Sequence, residues 1–485
     1  MYQLRFLRVF GRYCRSIVSL DLPNSLRYLS WDEYPFKSLP SKFSAQDLVV
    51  LDMSSNEVGV QLWNENQAAY LSGTTVLKLR DATIKELRNT SIESVVGLTA
   101  IKLINCKSLV SLPTNIWTLK SLESLDLSGC SNFQHLPEIS EAMEHLVFVN
   151  LSCTDVKELP PLIGNLVALQ NLDLSSTKIK SIPAGIKQAT QLSCLCLRNC
   201  ESLEFLPELP PLLQCLEAEG CTSLKTVSSS STAITQGWEE YIFSRGLHEK
   251  HIFSNCRRLD ESARSNIMGD AQLKIMRMAT ASSKFKEDRS EEASYDSDKE
   301  DKIEEISYDS DEEFFGKRSL VAIRCLGYEI PEWFNHKSEG CSIKIELPRN
   351  WFSTDFLGFA LSLVVANKRG LDPSFIKYFG LECKYNFKTS NGKSHEVSHP
   401  LCNPGLPWTI RRVDSHEVFV WWYSNVFEEV VEGAQSPTAF YKLFTEVNVD
   451  FTVMDCYGYS EVKVEKCGIC LLYGKDAEMI KQRAL

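Results

Sequence analysis

Leu122-Glu123-Ser124-Leu125-Asp126-Leu127-Ser128-Gly129-Cys130, Leu146-Val147-Phe148-Val149-Asn150-Leu151-Ser152-Cys153-Thr154 and Leu169-Gln170-Asn171-Leu172-Asp173-Leu174-Ser175-Ser176-Thr177 are three versions of one sentence. Each places apolar residues in the order L-x-x-L-x-L and ends on a cysteine or threonine. Outward from this stretch the pattern returns at Leu98/Ile101/Leu103, Leu192/Leu195/Leu197 and Leu213/Leu216/Ala218, with successive starts 24, 24, 23, 23 and 21 residues apart. Less regular copies stand at Leu4/Leu7/Val9, Leu26/Leu29/Trp31, Leu48/Leu51/Met53 and around Leu77/Leu79. A second signature follows each copy: Ser38-Leu39-Pro40, Ser111-Leu112-Pro113, His135-Leu136-Pro137, Glu158-Leu159-Pro160, Ser181-Ile182-Pro183 and Phe205-Leu206-Pro207. One such unit has an apolar edge that it cannot bury alone. Stacking the units joins those edges into one core, so the period predicts a solenoid.

L-x-x-L-x-L at this period is the leucine-rich-repeat pattern, and residues 1–230 are assigned to an α/β solenoid of about nine such units. Asn56, Cys106, Cys130, Thr154, Thr177, Cys200 and Cys221 close the turns, where a small polar or thiol side chain points inward to bond backbone groups. The residues between the leucines face out of a concave sheet of parallel strands. They mix charge, amide and aromatic character, as a protein-binding face does and a purely solvated one does not. The candidate contact residues are Asp52, Lys78, Arg80, Lys102, Asp126, Phe148, Asn150, Asp173, Arg198 and Glu217.

Composition bounds the function. A formal charge of −11 on 485 residues argues against a general nucleic-acid binder, whose affinity comes from lysines and arginines on phosphates. The longest nearly apolar run, Phe356 to Ala366, is about half of the ~20 residues that span a bilayer. Met1 to Arg8 alternates charged and apolar residues and does not read as a secretory signal, so the 17 scattered cysteines are expected to be reduced thiols of a cytoplasmic or nuclear protein.

Beyond Val227 the period stops at Ser228-Ser229-Ser230-Ser231. Residues 231–283 are expected as a short helical segment, with an amphipathic helix from Ala263 to Met278. Residues 284–316 form an acidic linker expected to be disordered; Lys284 to Glu313 holds 14 Asp+Glu and 5 Lys+Arg. Ser-Tyr-Asp-Ser-Asp occurs there twice, and Ser297 and Ser310 stand where an acidophilic kinase would act. Residues 317–485 carry β-rich runs at 321–325, 342–347, 356–366, 378–387, 418–423, 446–453 and 462–473, which argues an all-β sandwich. Its loop aromatics, Trp333 and Phe334 first, with Trp351 and Trp408, are candidate partner contacts, with buried packing an equal alternative.

Two motifs tempt and fail. His395-Glu396-Val397-Ser398-His399 matches a zinc-protease signature, whose chemistry needs both histidines on one helical turn. Asn391-Gly392 before it and Pro400 after it predict a hairpin and strand, where the two histidines lie ~13 Å apart. Cys467-Gly468-Ile469-Cys470 falls in a predicted strand and has no second pair. No phosphate-binding loop and no nucleophile elbow is present, and neither a catalytic residue, a metal site nor a cofactor is assigned.

The run Leu26-Arg27-Tyr28-Leu29-Ser30-Trp31-Asp32-Glu33-Tyr34-Pro35-Phe36-Lys37-Ser38-Leu39-Pro40 resembles the repeat region of plant intracellular immune receptors of the TIR–nucleotide-binding–leucine-rich-repeat family. So does Leu125 to Cys130. Gly327-Tyr328-Glu329-Ile330-Pro331-Glu332-Trp333-Phe334-Asn335-His336 resembles the jelly-roll/Ig-like domain that follows the repeats in that family, and Val464 to Gly468 fits its ending. The resemblance implies a disease-resistance sensor whose concave face and sandwich bind a pathogen effector protein. The TIR and nucleotide-binding domains are absent from this sequence, so neither NAD cleavage nor nucleotide binding is carried over. A truncated adaptor or decoy working with a full-length immune receptor is the alternative. A carbohydrate-binding jelly roll and an extracellular repeat protein are weaker rivals, the latter because its Leu-Pro signature lacks the preceding glycine of extracellular plant repeats.

Overall fold

The structure, a computed structural model, describes residues 4–10, 21–36, 39–40, 42–43, 46–54, 73–85, 87, 95–236, 238, 248–292, 320–367, 378–402, 410–411, 416–424, 437–455 and 462–484. Two compact units emerge, Met1–Ser228 and Ser229–Leu485.

In the first unit every repeat contributes one short strand. These are β1 (Phe6–Val9), β2 (Tyr28–Asp32), β3 (Val50–Ser54), β4 (Val76–Arg80), β5 (Ala100–Ile104), β6 (Ser124–Asp126), β7 (Phe148–Asn150), β8 (Asn171–Asp173) and β9 (Cys194–Cys196). After β10 (Phe205–Leu206) comes β11 (Cys215–Glu217), which pairs with β9; all neighbours are parallel and in register. The register puts Ile101, Leu125, Val149, Leu172 and Leu195 side by side, and each is buried. Each such side chain contributes roughly 1.5–3 kcal/mol on leaving water. On the return leg the apolar-proline signature does what its chemistry suggests. Leu112, Leu136, Leu159 and Ile182 are buried, and Pro113 and Pro183, with φ of −70° and −61°, lead into single 3₁₀ turns. Here β10 pairs with β12 (Thr226–Val227).

Where β4 to β9 and β11 end, the chain turns through one residue at positive φ: Asp81, Asn105, Gly129, Cys153, Ser176, Asn199 and Gly220. This corner sits directly before the closing residue, and its amide donates to the next repeat: Asn105 to Ser128 O at 2.7 Å, Gly129 to Ser152 O at 2.8 Å, Cys153 to Ser175 O at 2.8 Å. The closing residues point inward as expected. Cys130 Sγ reaches Leu103 O at 2.8 Å, Thr154 Oγ1 Leu151 O at 2.7 Å, Thr177 Oγ1 Leu174 O at 2.7 Å and Cys221 Sγ Leu197 O at 3.1 Å. These buried carbonyls have left the strand ladder, and the thiol or hydroxyl satisfies them. Asn56 lies outside the described residues.

The second unit opens with α1 (Ser231–Gln236), β13 (His248–Phe253) and a long α2 (Glu261–Glu292). Two expectations need correction here. The helix does not stop near Met278 but continues to Glu292, nine residues into the stretch expected to be disordered from 284. Extending a formed helix needs no new nucleus, and lysine, glutamate and arginine are good helix formers. The segment expected to be helical also contains β13, whose buried positions include Glu249 and His251, so no apolar alternation announced it. Ser297, Ser310 and Trp408 lie outside the described residues.

Then follow β14 (Leu320–Leu326), β15 (His336–Glu339), β16 (Ser342–Glu346), β17 (Phe356–Asn367), β18 (Tyr378–Thr389), β19 (Ser394–Cys402), β20 (Ile410–Arg411), β21 (Glu417–Tyr423), α3 (Pro437–Tyr441), β22 (Phe444–Asp455), β23 (Val462–Tyr473) and α4 (Ala477–Arg483). One sheet runs β13-β14-β21-β17-β23-β15, antiparallel except for the first pair; the other is β16-β22-β18-β19 with β20 on β18. Ile343, Phe387 and Val449 from the second sheet share a core with Leu361, Phe419 and Ile469 from the first. Trp351 stacks on Phe387 and Phe359 there, and its Nε1 donates to Phe444 O at 3.2 Å.

The other face of the first sheet is covered by α2, and an ionic cluster is buried with it. Glu249, fully buried, takes Lys274 Nζ at 3.2 Å and Arg277 at 2.9 Å. Burial alone would raise the Glu249 carboxyl, yet Lys274, Arg277 and His251 outweigh it and hold it at about 2. Lys274 is pushed down, because one carboxylate is shared between two buried cations and cannot repay the desolvation of both. A depressed carboxylate contributes stability that is complete above its unfolded value of 4.5 and is lost as pH falls towards 2. Glu249→Gln is therefore expected to destabilise the chain by about 3–5 kcal/mol at neutral pH, since it strands two buried cations. It should also flatten the stability curve below pH 4.5, as followed by urea titrations at several pH values. A variant curve as steep as the parent's in that window would assign the acid sensitivity elsewhere.

Candidate protein-recognition surface

The in-register strands set their outward side chains in rows. One row reads Phe6, Tyr28, Val50, Val76, Ala100, Ser124, Phe148, Asn171, Cys194 and Cys215. Its first five members are apolar, and Phe6 stacks on Tyr28 with ring centres 4.3 Å apart. The next row reads Arg8, Ser30, Asp52, Lys78, Lys102, Asp126, Asn150, Asp173, Cys196 and Glu217. All ten residues singled out on this face from the sequence therefore lie on it or at its edge, with Arg80 and Arg198 two residues beyond the second row.

They are not equivalent. Asp126, Asn150 and Asp173 each use Oδ1 to accept the amide two residues on, from Ser128 at 3.0 Å, Ser152 at 2.9 Å and Ser175 at 2.8 Å. That bond fixes the strand end just before the corner, so these side chains are partly committed to the fold. Lys78 pairs with Asp52 at 3.5 Å, and Arg198 pairs with Glu217, which is buried beneath it. Ser54 donates to Asp32 at 2.7 Å. Lys102, Arg80 and Phe148 show no such internal bond among the described residues.

In the second unit two of the loop aromatics take the buried-packing alternative. Phe334 is 2% exposed and Trp351 1%, both built into the apolar interior. Trp333 Nε1 donates to Met268 O at 3.1 Å, anchoring its loop to α2. Large rings here supply packing area that this loop cannot find in any other way. The exposed aromatic of that loop is Tyr328, 62% exposed, which lies 4.8 Å from the His416 ring; His416 in turn pairs with Glu465 at 2.8 Å. The histidines of the H-E-x-x-H stretch stand on β19, and His395 packs against Phe440 and Tyr441. Cys467 and Cys470 stand on β23, Cys467 in the apolar core.

Sequence reasoning missed two features. Cys194 and Cys215 are 21 residues apart and directly opposed on neighbouring strands; repeat spacing alone could have paired them. In the second unit, Phe253-Ser254-Asn255-Cys256-Arg257-Arg258-Leu259 copies Leu197-Arg198-Asn199-Cys200-Glu201-Ser202-Leu203, with Asn255 and Asn199 both at φ 57° and both cysteines buried.

Comparison with known proteins agrees with both units. Residues 325–478 match the family model described as the C-JID domain, and residues 125–236 match that of a leucine-rich repeat region. Over 98% of its length the chain is 27% identical to the disease resistance protein RPS4B of Arabidopsis thaliana, covering 44% of that protein. It is 25% identical to the disease resistance-like protein DSC1 of the same plant, covering 48% of it, and 28% identical to RPS4 over 85% of this chain and 30% of that one. The chain thus spans less than half the length of these relatives. Among solved structures it aligns with the leucine-rich-repeat domain of the type III effector XopL (18% identity, 45% of this chain, 68% of that one, TM-score 0.29). It also aligns with InlJ of Listeria monocytogenes (19%, 43% and 48%, TM-score 0.31). The resemblance read from the sequence is borne out: the chain corresponds to the C-terminal part of plant TIR–nucleotide-binding–leucine-rich-repeat disease resistance proteins. No helix among the described residues is long and apolar enough to cross a membrane.

The division of the concave residues is measurable as stability. Asn150→Ala removes the acceptor of the Ser152 amide and is expected to cost about 1 kcal/mol, whereas Lys102→Ala stays within about 0.5 kcal/mol. Denaturant midpoints of the two variants that coincide would remove the distinction.

Proposed function

We propose that this chain is the recognition part of a plant innate immune receptor, binding a pathogen effector protein through the concave face of its repeats. One observation carries the reading: on a face whose register is fixed by the fold, Lys102, Arg80 and Phe148 are left uncommitted beside an apolar row headed by the stacked Phe6 and Tyr28. Such a mixture of rigid apolar area and unpaired charge is what a protein partner needs for affinity and orientation. The similarity to disease resistance proteins gives this binding its setting.

The C-terminal unit is read as a jelly-roll/Ig-like sandwich, on the strength of two largely antiparallel sheets sharing one core. Its contribution to partner contact rests on Tyr328 in place of the buried Phe334. No catalysis is ascribed to the chain, whose place is the cytoplasm or nucleus. NAD cleavage and nucleotide binding are not ascribed to these residues.

Quantitative pull-down of pathogen proteins from infected leaf extract tests the reading. The double substitution Lys102→Glu with Phe148→Ala is expected to reduce capture of the partner at least about tenfold, the effect of losing ~1.4 kcal/mol, while leaving the solenoid folded. Undiminished capture would take the concave face out of the reading.

A further inference from the structure

The cysteines of the solenoid fall into two chemically distinct sets. Cys106, Cys130, Cys200 and Cys221 are fully buried, and each Sγ is bonded to a backbone carbonyl. Cys194 and Cys215 instead point out of the concave face, half-buried, at directly opposed positions of the parallel neighbours β9 and β11. The opposed register sets the two thiols side by side, and the neighbouring Cys215 thiol, ahead of burial, holds the Cys194 thiol above its ordinary pKa. The third thiol of the patch, Cys196, is two residues along on the same strand and is engaged with Ser175 at 2.9 Å.

We propose that Cys194 and Cys215 form an oxidation-sensitive dithiol on the concave face, closed to a disulfide by hydrogen peroxide. Adjacent strands lie ~4.8 Å apart, inside the roughly 4.4–6.8 Å between Cα atoms that a disulfide spans. With the Cys194 thiol held protonated by its neighbour and by burial, the Cys215 sulfur is assigned as the first nucleophile. It attacks one peroxide oxygen; the O–O bond breaks, and the departing hydroxide takes the Cys215 thiol proton and leaves as water. Cys215 is then a sulfenic acid. Cys194 Sγ attacks that sulfur, the S–S bond forms, the S–O bond breaks, and hydroxide leaves as water with the Cys194 proton. Two thiols and one peroxide give one disulfide and two waters, with two electrons passing from sulfur to peroxide. Neighbouring Glu217 belongs to the same patch, so the oxidation state is registered on the surface itself, whatever that surface binds.

The test uses the full native chain, treated with hydrogen peroxide in the presence of dimedone, alkylated and mapped by mass spectrometry. Cys153, exposed at its own corner, is the internal control for simple accessibility. The expected result is a Cys194–Cys215 cross-linked peptide with no dimedone adduct at either residue. In Cys194→Ser, Cys215 should stop at the sulfenic acid and carry dimedone. Thiols at 194 and 215 that survive while Cys153 is oxidised would overturn the assignment. So would a dimedone adduct on Cys215 of the unmodified sequence, or a disulfide from either residue to Cys196.

Discussion

Each turn described after β4 to β9 and β11 passes through one residue in a backbone conformation that L-amino acids adopt reluctantly, and the regularity of the face depends on it. The left-handed corner lets the strand end abruptly, sends its own amide to the next repeat and delivers the following side chain inward. Non-glycine residues there cost about 1–2 kcal/mol each, which asparagine eases with its short polar side chain. Asn105 and Asn199 occupy two corners, and Gly129 and Gly220 stand directly after them in the stack. A Cβ at Gly129 would come within 1.9 Å of the Asn105 Oδ1, and one at Gly220 within 2.5 Å of the Asn199 Oδ1. An asparagine corner thus demands a glycine in the next repeat, and the alternation follows from space as well as from φ.

The same corner explains why the concave face is not a free canvas. Asp126, Asn150 and Asp173 hold the amides just ahead of it, so a substitution there costs the fold more than exposure alone suggests. Positions without such bonds adjoin those anchors, Lys102 opposite Asp126 on the neighbouring strand and Phe148 two residues before Asn150. The face thus combines residues that fix the strand with residues that do not.

Much of this was legible. The L-x-x-L-x-L period placed the strands β5 to β9 and the inward cysteines and threonines, because both follow from a repeat that must bury one edge. Short β-rich runs located the strands of the C-terminal unit, most within two residues at each end. Three things were not legible. The β13 strand buries Glu249 against Lys274 and Arg277, and a buried ion pair looks polar to any apolar periodicity. The helix to Glu292 crosses into acidic sequence because continuation is cheaper than nucleation. Whether Phe334 and Trp333 face a partner or the interior is open in the sequence, because a loop gives no alternation from which burial can be judged.

Hydrogen exchange of the native chain tests the corner most directly. The amides of Asn105, Gly129, Cys153, Ser176 and Asn199 lie outside the strands yet donate across the stack at 2.7 to 2.8 Å. They are predicted to exchange as slowly as the strand amides at Leu125, Val149 and Leu172, since both open only when neighbouring repeats part. Exchange at the rate of exposed loop amides would contradict the account, and would mean that the repeats are held by their leucines alone.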